Sequence, residues 1–313
     1  MGKTMPEWRK IEFILDFFGL FTILVFPVLI GIPVAGYIIE TAALFFVVYF
    51  SYRRKQLLLT IGSIGSIVSA SILFGPSMLL MGLWGMIIIP GTIFGRLMSG
   101  GLHPSRAFAI SMIILSIGSL IVFWSERELI YKSLDSAQSW ILADIQNGNQ
   151  GPAGSNLQSA DFVSEIIYMI KRLMPALWAL SAVAQLLLAG MVFFIVLKST
   201  GEFFNGFGSF IYWKMPFSII YLTGISIAMR LAGAETVKII ADNMLLFLGI
   251  FYAVFGFSVF EYYLRKIRLT LFWRILFYVV LVFLQLPGLV MAALIGLFDS
   301  YFDFRQVKAK MLG

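Results

Sequence analysis

Apolar residues in this chain come in runs long enough to cross a bilayer, and short polar segments separate them. A span needs about 20 mostly apolar residues to cover roughly 30 Å of hydrocarbon. The pattern predicts five spans before the one long polar stretch and four after it. The first run, 11–50, is too long for one span and divides at 27–33 (PVLIGIP), where two prolines and a glycine favour a break. A third span follows the basic SYRRK and reaches Phe74, and a fourth runs from the Gly75-Pro76 turn to about Gly95. A fifth covers 107–124, and the last four fall at about 172–197, 216–231, 243–263 and 274–298. The expected fold is an all-α integral membrane protein, a bundle of about nine transmembrane helices (eight to ten) with one amphipathic extramembrane helical segment.

That segment, 125–171, divides the chain into a membrane half at 1–124 and a second at 172–313. Within it Ile130, Leu134, Ala137, Ile141 and Ile145 recur at steps of three and four, which is one apolar face of a helix. The face suits a helix lying on the membrane surface or capping the bundle. NGNQGPAGSN at 147–156 reads as a loop, since Gly, Pro and Asn supply turns.

Lys and Arg gather in the short loops on one side when the N-terminus is placed inside, among them Arg53, Arg54, Lys55, Arg96, Lys214, Arg265 and Lys266. That is the positive-inside pattern, and it puts the acidic polar stretch outside. Nine spans, however, leave Arg305, Lys308 and Lys310 outside. The conflict is removed if the last run breaks at Pro287-Gly288 and returns, or if the count differs by one. The basic N-terminus leads into a long apolar run without a signal-peptidase site, so the first span is expected to be retained.

Composition narrows the classes. Hydrophobic residues make up 60% of the chain and charged ones 12%, against about 25% charged in a soluble domain. The net charge of +7 is accounted for by the loops, so no nucleic-acid partner is expected. There is no Cys and one His, His103, which leaves no thiolate or His-based metal site and no cofactor motif. P-loop, GxSxG and HExxH patterns are missing, and no nucleophile–base pairing stands out, so catalysis is not expected.

Small residues recur at helical spacing. Gly62, Ser66 and Ala70 are four apart, Gly91 and Gly95 form a GxxxG pair, Gly82 loosens the fourth helix, and Gly249, Ala253 and Gly256 repeat the stripe. Such spacing lets helices approach closely in lipid, or marks an interrupted helix lining a cavity. Ionisable residues inside spans cost about 2.5–3.5 kcal/mol or more at the bilayer centre and are functional candidates by default. Glu40, mid-span in GYIIETAALFF, is the foremost ligand-binding candidate, with Gln185 and Asp16 after it. A structural partner across the bundle is the alternative for Glu40, and interhelical hydrogen bonding is the ordinary use of Gln185 and Gln285. Arg230 and Glu261 sit near span ends, within reach of the interface. Asp299 and Asp303, followed by Arg305, read as a salt-bridged terminus.

The second half carries WKMP, with Trp213 and Pro216, then FGFSVFEYYLRK, and ends in GLFDSYFDFR, with Gly296, Asp299, Asp303 and Arg305. Together these resemble the YybS-like family of bacterial membrane proteins, whose members have no established biochemical role. The resemblance implies an all-helical protein of the bacterial inner membrane. That family is distantly similar to the substrate-binding membrane components of energy-coupling-factor vitamin transporters, a likeness seated in FGPSMLLMGLWGMIIIPGTIFG. It implies a small-molecule ligand and an ATPase-module partner. The chain differs from those components in having more spans and in lacking an AxxxA seam in its first span. Beside the transport reading stands a non-catalytic scaffold that recruits envelope or signalling proteins.

Overall fold

The computed structural model describes residues 7–29, 33–74, 84–102, 104–147, 153–200 and 210–305. Among them there is no strand, and the chain is an all-α membrane protein. The helices are α1 (Glu7–Leu29), α2 (Pro33–Tyr52), α3 (Gln56–Phe74), α4 (Ile89–Ser99, led in by a π turn at Trp84–Ile88), α5 (Pro104–Asn147), α6 (Ala153–Ser199), α7 (Ile219–Ala232), α8 (Glu235–Lys266), α9 (Leu271–Phe283) and α10 (Gln285–Phe302). Four contain described stretches long and apolar enough to cross a membrane, namely Arg106–Ile145, Asp161–Ser199, Glu235–Lys266 and Gln285–Phe302. Five shorter apolar stretches join them.

The chain packs as two compact units, 1–164 with 178–206, and 165–177 with 207–313. These boundaries differ from a division at 124/125 and 171/172 because no loop falls there: α5 and α6 run unbroken through both positions. With 44 and 47 residues, α5 and α6 are each more than twice as long as a hydrocarbon crossing requires at about 1.5 Å per residue. The amphipathic face is thus carried on a continuation of α5, and residues 153–171 belong to α6. Ile130, Leu134 and Ile145 are half-buried, but Ala137 and Ile141 are exposed, and Gln138 and Leu142 replace them on the covered face.

In the first unit α2 is the central helix. From Ala43 to Ser51 every side chain is buried, as expected of a helix that is apolar all round. α1 returns against it where Gly19 meets Phe46 and Phe50. α3 runs parallel to α1, with Gly62 on Ile23 and the Ser69 hydroxyl on the Leu24 carbonyl. α4 runs parallel to α2: Gly91 rests on Leu44 and Val47, Gly95 on the Val48 carbonyl, and the Ser51 hydroxyl donates to Thr92 O at 2.8 Å. A side chain at Gly95 would collide with backbone. That explains the close approach, since interfaces in lipid are built by small residues. Ser66 is buried and Ser69 donates to its carbonyl, whereas the Ala70 side chain and Gly82 lie outside the described residues. Phe13, Phe17 and Phe21 point outward, toward lipid.

In the second unit α7 and α8 form a hairpin, joined by Thr223 and Tyr252 at 3.1 Å. α9 turns back along α8, with Phe257 on Tyr278 and Phe260 on Phe277. The expected ninth span at 274–298 does not exist as one helix. It breaks between Phe283 and Gln285, which holds φ +47°, two or three residues before Pro287-Gly288. The break falls upstream because Pro287 then occupies the first turn of α10, where a backbone N–H has no helical partner to lose. Gln285 is therefore a turn residue, not a span-centre hydrogen bonder. α10 runs parallel to α8: Gly296 lies on Tyr252 and Gly256, Gly256 on Ala292, and further along Tyr263 Oη donates to Phe304 O at 3.3 Å. Ala253 is buried, but Gly249 faces open space and is not a packing glycine. Arg305 thus returns to the end of the unit that holds Phe210–Tyr212, Arg265 and Lys266.

Candidate functional site

Among the acids of the two membrane halves whose side chains are described, every one has a cation, save one. Lys55 binds Glu12 at 2.9 Å and Asp16 at 2.6 Å. Arg172 binds Glu235 at 2.7 Å and Asp242 at 2.8 Å, and Arg230 binds Asp242 at 2.6 Å. Glu261 takes Arg265 and Arg274, each at 2.7 Å. Asp299 takes Arg305 at 2.7 Å, and Asp303 takes Lys214 at 2.8 Å. The exception is Glu40, whose Oε2 accepts from Gln185 Nε2 at 2.8 Å.

The geometry of that pair follows from the packing of the first unit. α2 and α6 run parallel, with Tyr52 edge-on to Phe193 and Arg53 near Thr200 toward one end. Glu40 is half-buried on α2, while Gln185 is 4% exposed on α6. Gly36, one turn before Glu40, and Ala182 and Ala189, on either side of Gln185, are buried and small. Asp16 is not part of this site. Its carboxylate is engaged by Lys55, beyond the opposite end of α2. At Lys55 burial pulls the ammonium pKa down, but hydrogen bonds to Asp16 and Glu12 outweigh it and the net shift is upward.

The second unit holds a buried knot that the closing motif builds. Arg305 and Asp299 have side chains 0% and 2% exposed. Arg305 also donates to Ser258 Oγ at 2.6 Å and to the carbonyls of Ile211 and Trp213 at 2.6 and 2.7 Å. Trp213 therefore serves through its backbone, and Pro216 is exposed just ahead of α7. Gly296 gives the contact between α8 and α10 on which the knot rests.

Sequence reasoning missed a second polar cluster. Pro175 sits inside α6, and Asn243 lies beside it. Asn243 Nδ2 donates to Arg172 O at 2.8 Å, and its Oδ1 accepts from Ala176 N at 2.8 Å. The amide thus bridges the two ends of the helical turn that contains Pro175, the N–H of residue 176 and the carbonyl of residue 172. A proline inside a predicted span was the available signal.

A shallow depression lies along α5, bounded by Trp124, Glu126, Arg127, Leu129 and Lys132. Arg127 stacks over Trp124 there at 4.4 Å. This is the chemistry of an interfacial anchor. Among the described residues no group of three His, Cys, Asp or Glu could hold a metal ion.

Residues 19–300 match the family described as predicted membrane protein (DUF2232). No curated protein and no solved structure matches the chain.

Proposed function

The chain belongs to the DUF2232 family of predicted membrane proteins, and on that footing we propose that it is a non-catalytic small-molecule binding or transport component of the bacterial inner membrane. One observation carries the reading. Where the other acids with described side chains in the membrane halves pair with cations, Glu40 has a single partner among the described residues, and it is an amide. A carboxylate kept inside a span at a cost of several kcal/mol, with no counter-charge, is placed to meet something that enters. The YybS-like and energy-coupling-factor resemblances point the same way.

The orientation belongs to this reading too. An even number of helices puts both termini on one side, and the basic loops put that side in the cytoplasm. Arg305, Lys308 and Lys310 then obey the rule they would break with nine spans.

Native mass spectrometry of the protein released gently from its own membranes tests the proposal. A bound small molecule of defined mass, lost in Glu40→Gln while the variant still inserts and folds, is the expected result. A ligand-free wild type, or a Glu40→Gln protein that fails to fold, overturns it in favour of a structural Glu40.

A scaffold remains the second reading, favoured by the exposed Trp140 (79%) and Ile141 on the outer part of α5. In that case a protein partner co-purifies, and Trp140→Ala releases it.

A further inference from the structure

Within about two helical turns of Gln185, α5 and α6 carry polar atoms without partners among the described residues. Ser111 Oγ, Ser116 Oγ and the indole Nε1 of Trp178 are buried and make no hydrogen bond. A serine on a helix has an ordinary way out, donating to a carbonyl three or four residues back. Ser119 takes it, bonding Ser116 O at 2.9 Å, but Ser111 and Ser116 do not. Each orphaned buried group calls for an explanation, an ordered water or an ion among them.

The register between helices collects these groups. α5 and α6 are antiparallel, fixed by Phe123 against Trp178 and by Gln138 against Ser164. That register sets Ser116 level with Gln185, and Ser111 and Trp178 within about two helical turns of it. Tyr37 lies three residues before Glu40 on the same face of α2. The level of Gln185 therefore offers the Glu40 carboxylate, the Gln185 amide oxygen and the Ser116 hydroxyl.

It offers no cation. Among the described residues none pairs with Glu40, and the apolar stretches 25–35 and 73–85, whose side chains are not described, contain no Lys, Arg or His in the sequence. A hard metal ion would want about six or more oxygen ligands or a shell of waters, and here there is a single carboxylate. An ammonium carries three donors, which match a carboxylate, an amide oxygen and a hydroxyl. Resting on the binding reading above, we propose that the ligand is a protonated amine, its ammonium held by Glu40 and Gln185 with Ser116 as third acceptor.

Carbodiimide labelling of the full-length protein in lipid nanodiscs tests this, because dicyclohexylcarbodiimide attacks carboxyl groups in apolar surroundings. The adduct at Glu40 is read by peptide mass mapping, with Glu40→Gln as the blank. Methylammonium and benzylammonium chlorides are the probes, against sodium and potassium chlorides at equal ionic strength. The expected result is a several-fold loss of labelling with the amines alone, and weaker protection in Ser116→Ala, which leaves the carboxylate in place. Labelling that no amine reduces, protection equal with sodium or potassium, or a Glu40 that never labels overturns the proposal. If amines fail while native mass spectrometry still shows a small molecule lost in Glu40→Gln, the amine is wrong and the binding reading stands. If both fail, neither stands.

Discussion

Arg305 donates to Asp299 at 2.7 Å with both side chains sealed from the surroundings. The same guanidinium reaches the carbonyls of Ile211 and Trp213 and the hydroxyl of Ser258, so one side chain joins the segment before α7, the end of α8 and the end of α10. Removing one partner of a buried pair strands the other, which costs ~3–5 kcal/mol. Arg305→Ala is therefore expected to lower the detergent melting temperature steeply. Arg305→Lys should recover little, because a point charge cannot make the forked set of bonds. A melting temperature unchanged in Arg305→Ala would show that the knot does not hold the unit together.

The contact between α8 and α10 is backbone on backbone, and a side chain at Gly256 or Gly296 would run into Ala292 or Tyr252 carbonyl atoms. Gly256→Val and Gly296→Val should each destabilise by about 1–3 kcal/mol or more through overpacking. Gly249→Ala, at a glycine with open space beside it, should be neutral or slightly stabilising, since alanine is the better helix former. Size-exclusion profiles and melting curves of the three variants side by side decide the matter. Equal behaviour of all three would refute the assignment of packing to one stripe position and not the other.

Much of this was legible in the chain. The division between α1 and α2 and the small-residue pairs Gly91/Gly95 and Gly62/Ser66 could be read from composition: Pro33 suits the first turn of a helix, although Pro27 stays inside α1, and small residues allow close approach. The pairing of Glu40 with Gln185 could not be read. Both were visible as polar residues in spans, but partnership across 145 positions depends on which helices run side by side, and hydropathy does not record that. The break before Gln285 was displaced by the habit of ending helices at Pro-Gly, whereas Pro287 opens the next one. Gly249 shared its spacing with Gly256 but not its neighbour, since a helix has faces that a stripe of letters does not distinguish.

Asn243 bridges Ala176 N and Arg172 O across the helical turn that contains Pro175. Asn243→Leu leaves Ala176 N and Arg172 O to find one another or stay unpaired, at about 1–3 kcal/mol. Restoring the helical ladder should relieve that, so Pro175→Ala is expected to stabilise the Asn243→Leu variant more than it stabilises the wild type. A double-mutant cycle on melting temperatures measures the coupling. Strict additivity would mean that the amide and the proline are unrelated.

The return of α10 along α8 fixes the sidedness of the C-terminus relative to the basic loops of its own unit. Tyr263 and Phe304 meet at 3.3 Å, which cannot happen if residues 274–298 form one uninterrupted span leaving from the end of α8. A fluorescent protein fused after Gly313 should therefore fold in the cytoplasm, as should one fused at the N-terminus. Alkaline phosphatase inserted in 148–152 should be active, because the proposed orientation places the residues between α5 and α6 outside. Phosphatase activity at the C-terminal fusion, with loss of fluorescence, would restore an odd number of crossings and would place Arg305 on the wrong side for the positive-inside rule.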